Sequence, residues 1–83
     1  MEYALRLGTT VAGELTRLRT RRGLTVCALA RRTGVPRESI YRMERGEHLP
    51  TLFLAARLCH GLGVPLWEVV AAAEAPPCPV SST

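Results

Sequence analysis

The stretch TVCALARRTGVPRESIYRMERG, residues 25–46, decides the reading of this chain. It opens on Thr25, a residue type whose hydroxyl caps a helix by accepting a bond from a free backbone N–H. Leu29 and Ala30 then form a short inward face. Gly34 stops that helix at the C-terminal position where glycine is favoured, because only glycine turns left-handed without strain. Pro36 stands where a first helical turn tolerates proline. Ile40 and Met43 form the inward pair of a second helix, and Gly46 stops it. Two short helices joined by about four residues, the second presenting polar side chains at its front, have the punctuation of a helix-turn-helix unit. Leu29 and Ala30, then Gly34 and Val35, then Ile40 are what a steep crossing requires. A small residue allows close approach, a glycine makes the turn, and an aliphatic residue plugs the angle.

Outward from this unit the chain reads as helices throughout, and no segment reads as a strand. Val11, Leu15 and Leu18 share one helical face, which predicts a helix over about 9–22, with Thr9 or Thr10 as its cap and Gly23 as its stop. The central pair is predicted at about 26–33 and 36–45. Thr51 caps a fourth helix over about 52–61, with Leu52, Ala55, Leu58, Cys59 and then Leu62 as its stripe. Pro65 opens a fifth, with Leu66, Val69 and Val70 inward. The expectation is an all-α, compact five-helix bundle. It divides into an N-terminal segment at 1–8, a domain at 9–74, and a proline- and serine-rich tail at 75–83 expected to be disordered. Eighty-three residues are enough for one domain, and a domain of this size buries only a modest core.

Charge is distributed unevenly. Ten of the eleven arginines lie in residues 1–46 against Glu2, Glu14, Glu38 and Glu44, while residues 47–83 carry Arg57 against Glu47, Glu68 and Glu74. A basic front and a mildly acidic rear suit a polyanion partner, or are simply a solvated basic surface. The chain has no Lys, Asp, Asn or Gln, so arginine carries every positive side chain. Arginine suits bidentate contacts to guanine and to phosphate.

Other function classes find little support. Cys27, Cys59 and Cys78 are an odd, scattered set with no metal-ligand spacing. Cys27 and Cys59 read as small buried hydrophobes and Cys78 as a free thiol in the tail. There is no phosphate-binding glycine loop, no Ser/His/acid set and no paired carboxylates, so an enzyme is not expected, nor a cofactor, a metal or a small-molecule substrate. No apolar run approaches the ~20 residues of a membrane span, and residues 1–7 lack a signal-peptide core. A cytoplasmic, nucleoid-associated location is expected.

At this point the chain resembles the phage-repressor-like helix-turn-helix proteins, the class of Cro and the lambdoid repressors, also called the XRE family. The resemblance rests on RRGLT at 21–25, LARRTGVP at 29–36, SIYRMERG at 39–46 and LGVPL at 62–66, and covers about residues 11–72. It implies a five-helix domain that lays its third helix in the major groove of double-stranded DNA. The base-reading positions it implies are Arg37, Glu38 and Arg42, with Tyr41 beside them. Arg37 and Arg42 can each donate two bonds to guanine O6 and N7, and Glu38 can accept from cytosine N4. Glu38 has a second reading, as an acid complementing the positive end of its own helix.

Ser39 matches a phosphate-touching position. Arg45, Arg32, Thr25 and Arg22 complete the phosphate set. Such contacts give affinity and salt dependence without sequence choice. Arg19 and Glu44 match a structural interhelical salt bridge. One departure stands out: where many relatives have a phosphate-clamping Gln, this chain has Val26. Either the backbone N–H at that helix end suffices, or the anchor is lost.

Phe53 and Trp67 stand where relatives have polar surface. With Val70, and with Leu49 at the margin, they are the expected homodimer interface, which an operator of two-fold symmetry calls for. For Trp67 the other reading is that it folds back onto the local core. The resemblance thus points to a dimeric repressor on an inverted-repeat operator. A single domain of this kind suits a Cro-like phage repressor, a restriction-modification controller or an autoregulating antitoxin. The alternative is a protein-interaction module, antitoxin-like or docking, with a protein partner and weak or no DNA binding.

Overall fold

The structure, a computed structural model, describes residues 1–74. They form five helices: α1 (Glu2–Arg21), α2 (Val26–Thr33), α3 (Arg37–Glu44), α4 (Leu52–Leu62) and α5 (Leu66–Glu74). The tail at 75–83, with Cys78, lies outside the described residues. Among the described residues there is no strand.

α1 departs from expectation at its start. It begins at Glu2, so residues 2–8 are helix rather than a leading segment, and neither Thr9 nor Thr10 caps it. Three causes extend it. Ala4, Leu5, Arg6 and Leu7 are strong helix formers. Glu2 complements the positive helix end and pairs with Arg6 one turn on, at 3.4 Å. Leu7 continues the apolar stripe back from Val11 and packs, half-buried, against the core. The Thr9 and Thr10 hydroxyls instead donate to the carbonyls of Leu5 and Arg6, at 3.0 and 2.8 Å. Such back-bonding is how threonine settles inside a helix, and it mimics a cap signal in the bare sequence.

The other boundaries follow local chemistry closely. Thr25 and Thr51 accept from the backbone N–H groups of Ala28 and Leu54, each at 3.0 Å, and so cap α2 and α4. Gly34 and Gly63 close the same two helices in the left-handed conformation, at φ 76° and 75°. Pro36 is the residue before α3 rather than its first residue, and Arg45 is the residue after it.

The core is built from one stripe of each helix. Leu15 of α1, Leu29 of α2, Ile40 and Met43 of α3, and Leu58 and Cys59 of α4 are its fully enclosed side chains. Val35 plugs the turn between α2 and α3, and Val69 is the buried residue of α5. α1 lies along α5, and α4 packs across α2. The Tyr3 hydroxyl donates to the Glu74 carboxylate, fastening the first turn of α1 to the end of α5. That bond holds the Tyr3 phenol above its ordinary range. α4 and α5 meet at a bend of 111° around Gly63–Pro65. No single helix among the described residues is long and apolar enough to cross a membrane.

Cys59 is buried, and desolvation pushes its thiol pKa up. Cys27 is not buried as expected: it is exposed. The inward stripe of α2 runs through Val26, Leu29, Ala30 and Thr33, and Cys27 falls one residue outside it.

Candidate nucleic-acid interface

α3 is eight residues long and has two faces. Ile40 and Met43 point into the core, while Arg37, Glu38, Tyr41 and Arg42 are exposed on the opposite side. The split follows from spacing alone: in a 3.6-residue helix, positions 37, 38, 41 and 42 share a surface that excludes 40 and 43. Arg37 Nη1 lies 3.6 Å from Cys27 Sγ, so the first residue of α3 touches the front of α2. Arg37 and Arg42 thus project guanidinium forks from one helix face, the geometry that a guanine edge or a phosphate accepts in bidentate fashion. Glu38 occupies the first turn of α3. Ser39 is half-buried and lines a groove with Val35, Pro36, Leu49 and Phe53.

The arginines around this face have different surroundings. Arg45 donates to Glu47 at 3.0 Å, and that bond holds the Glu47 carboxyl below the ordinary carboxylate range. Arg17 is paired with Glu14 at 2.8 Å. Arg32 turns away from α3 and donates to the Gly61 carbonyl at 3.3 Å. Among the described residues, Arg22, Arg31 and Arg42 enter no ion pair. The Thr25 hydroxyl accepts from its own helix.

Val26 lies within the core. The side chain that stands in place of a polar clamp therefore serves packing. What α2 offers at that end is backbone, since the first N–H groups of a helix have no intrahelical acceptor.

A latch holds α3 to the rest of the domain. Arg19 Nε donates to Glu44 Oε2 at 2.7 Å and its Nη2 to Glu44 Oε1 at 2.9 Å. Arg19 Nη1 also donates to the Leu24 carbonyl at 2.7 Å. The two side chains keep only 16% and 13% of their surface. In so dry a setting a two-pronged pair has a defined geometry.

A second tie was invisible in the sequence. Arg57 of α4, counted there only as the one arginine of the acidic half, donates through Nε to the Thr33 carbonyl at 3.1 Å, and Nη2 donates to the same oxygen. Its guanidinium also stands over the Phe53 ring, 5.7 Å from the centroid. A basic residue near a helix C-terminus is a weak signal that could have pointed to this tie, but Arg57 is 24 residues from Thr33.

Phe53 and Trp67 are each 71% exposed, so Trp67 does not fold back onto the core. Val70 is half-buried. Leu49 is exposed and reaches back toward α1, where a Cβ at Gly8 would stand 3.2 Å from its Cδ2. Among the described residues no group of three or more His, Cys, Asp or Glu side chains could hold a metal ion.

Comparison with known proteins agrees with this fold. The chain is 46% identical over 41 residues to an uncharacterized HTH-type transcriptional regulator from Methanothermobacter thermautotrophicus, a match spanning 49% of this chain and 59% of that protein. Its fold superposes with a TM-score of 0.75 on the crystal structure of an HTH_3 family transcriptional regulator from Vibrio cholerae, at 30% identity. That match covers 84% of this chain and 39% of the other, so the chain accounts for well under half of the Vibrio protein's length. The sequence model of the helix-turn-helix domain family matches residues 10–73, which include all of α2 to α4 and most of α1 and α5, and the chain belongs to that family.

Proposed function

We propose that this chain is a sequence-specific double-stranded DNA-binding regulator that presents α3 to the major groove. One observation carries the reading: α3 is locked by its inner face, its latch to α1 and its turn from α2, while Arg37 and Arg42 extend from its outer face. A rigid helix with exposed arginine forks suits direct reading of guanine edges. In this reading Arg37, Glu38, Tyr41 and Arg42 read bases. Ser39, Arg45, Thr25 and Arg22 approach phosphates, together with the free N–H groups at the front of α2. Arg32 reaches a phosphate only by leaving the Gly61 carbonyl, and it is the weakest member of the set.

The chain acts as a homodimer that represses by occupying an inverted repeat. The exposed Trp67, with Val70 beside it, supplies the apolar anchor, and Phe53 is a second candidate. The two relatives support the reading, since their names describe transcriptional regulators. Buried Val26 and the exposed aromatics favour a second reading, a docking module for a protein partner.

Selection of the purified chain against random duplex DNA at moderate salt, followed by sequencing, tests the proposal. The expected outcome is an inverted repeat with half-sites about 10 bp apart, or a multiple of a helical turn. A pool with no enriched sequence, bound only weakly and released by salt, would favour the docking module.

A further inference from the structure

The turn that aims α3 is made by three residues, and each is restrained. Gly34 takes φ 76° and donates its N–H to the Ala30 carbonyl at 2.8 Å. Thr33 Oγ1 donates to the Leu29 carbonyl at 2.8 Å and accepts from the Val35 N–H at 3.2 Å. Pro36 follows with its ring-fixed backbone. These bonds all lie within residues 29–36. They shape the turn, but they do not fix it to the body of the domain.

Arg57 does. Its guanidinium crosses from α4 and places two N–H groups on the Thr33 carbonyl, the last of α2. A cation there meets the negative end of the helix and occupies a carbonyl left without an intrahelical donor. Its Nη2 tip points at the open face of Gly34, so closely that a Cβ on that residue would stand 2.7 Å from Nη2. Phe53, one turn before Arg57 on α4, underlies the guanidinium and limits its rotamers. The contact gives one face of an otherwise exposed aromatic ring a task.

We propose that Arg57 is a positioning residue for DNA reading: oriented by Phe53, it fixes the α2–α3 turn to α4 and thereby sets the angle at which Arg37 and Arg42 meet base edges. The proposal rests on the DNA-reading function above. Side chains that read bases must be held to within about 0.5 Å of the productive geometry, and a turn free to rock would lose that first. Contacts to phosphate tolerate such rocking, because they are largely electrostatic.

Loss of Arg57 should therefore weaken discrimination more than general affinity. Random-duplex selection with the unaltered chain comes first, and Arg57→Met and Arg57→Lys are then titrated against the enriched duplex and a scrambled one at equal salt. Folding is checked by circular dichroism and self-association by sedimentation. Arg57→Met keeps the aliphatic stem but has no donor; Arg57→Lys keeps the charge and can donate to only part of the arrangement. The expected result is a fall of about tenfold in the ratio of specific to non-specific affinity for Arg57→Met, with Arg57→Lys in between.

An equal loss on both duplexes would make Arg57 a phosphate contact and overturn the proposal, as would an unchanged ratio. If Arg57→Met does not fold, Arg57→Lys decides: an unaltered ratio overturns the proposal and a reduced one supports it. A parent chain that enriches no sequence would end the DNA-reading function and this proposal together at the first step, which sets that failure apart from a failure of Arg57 alone.

Discussion

Arg19 and Glu44, 25 residues apart, share two hydrogen bonds of 2.7 and 2.9 Å that latch the last turn of α1 to the last turn of α3. Arg19 bonds the Leu24 carbonyl as well, so one guanidinium holds three acceptors at the junction of α1, the following loop and α3. Removing one partner of such an enclosed pair strands the other charge. Arg19→Met should cost about 3 kcal/mol in urea unfolding, near the lower end for a broken buried pair. Arg19→Met combined with Glu44→Leu should recover more than half of that loss. Strictly additive losses would show that the two side chains are not coupled.

Gly34 and Gly23 both hold positive φ, at 76° and 69°, but in different surroundings. A Cβ at Gly23 meets nothing within 4 Å, whereas one at Gly34 meets the Arg57 guanidinium. Gly23→Ala should cost about 1 kcal/mol, the strain of a left-handed alanine. Gly34→Ala should cost measurably more, because Arg57 must also leave Thr33. Equal shifts in thermal midpoint for the two variants would remove the Arg57 contact from the account.

Gly61 lies inside α4, where alanine is ordinarily preferred by about 1 kcal/mol. Here a Cβ would run into Thr33 Cγ2, a methyl on a buried β-branched side chain whose hydroxyl is already bonded to Leu29 and Val35. Gly61→Ala should therefore destabilise by about 1 kcal/mol net, since overpacking costs about 1–3 kcal/mol and exceeds the helix gain. Thr33→Ser removes that methyl and keeps the hydroxyl. In the Thr33→Ser background, Gly61→Ala should become neutral or stabilising. A loss that persists without the methyl would place the clash elsewhere.

Arg37 is exposed and leads α3. Arg37→Ala should lower affinity for the selected duplex by about 1–3 kcal/mol and relax preference at one base position, with little change in the thermal midpoint. An unchanged base preference would mean that α3 does not read bases through this residue.

Trp67 leaves 71% of its surface uncovered in the single chain. Trp67→Ser should thus weaken self-association in sedimentation experiments while leaving the monomer's stability nearly intact. A dimer of undiminished strength would move the interface away from α5.

Much of the fold was legible because its signals are local. Thr25, Gly34, Thr51 and Gly63 delimit α2 and α4 through bonds spanning three or four residues, and the sequence displays such spacings directly. The same logic misled at Thr9 and Thr10, whose hydroxyls bond inside a helix that the sequence seemed to begin there. It also misled at Cys27, whose residue type suggested burial although its helical phase assigns it to the surface. The outer face of α3 could be read from period alone. The surroundings of the arginines beside it could not: Arg32 of α2 turns to Gly61, and Arg45, just after α3, to Glu47, choices settled by which acceptors came within reach.

The sequence by itself determined five apolar stripes, their glycine and threonine punctuation, and a helix with arginines on one side and Ile40 and Met43 on the other. Those features follow from helical period and from the conformational freedom of single residues, which act within a turn or two of chain. Only the tertiary structure decided that Arg57 closes the end of α2, that Thr33 demands a glycine at position 61, and that Trp67 stands open. Each of these depends on where α4 and α5 come to rest once the shared core around Leu58 and Val69 is packed. A contact between residues more than twenty positions apart is set by that packing, and no spacing along the chain encodes it.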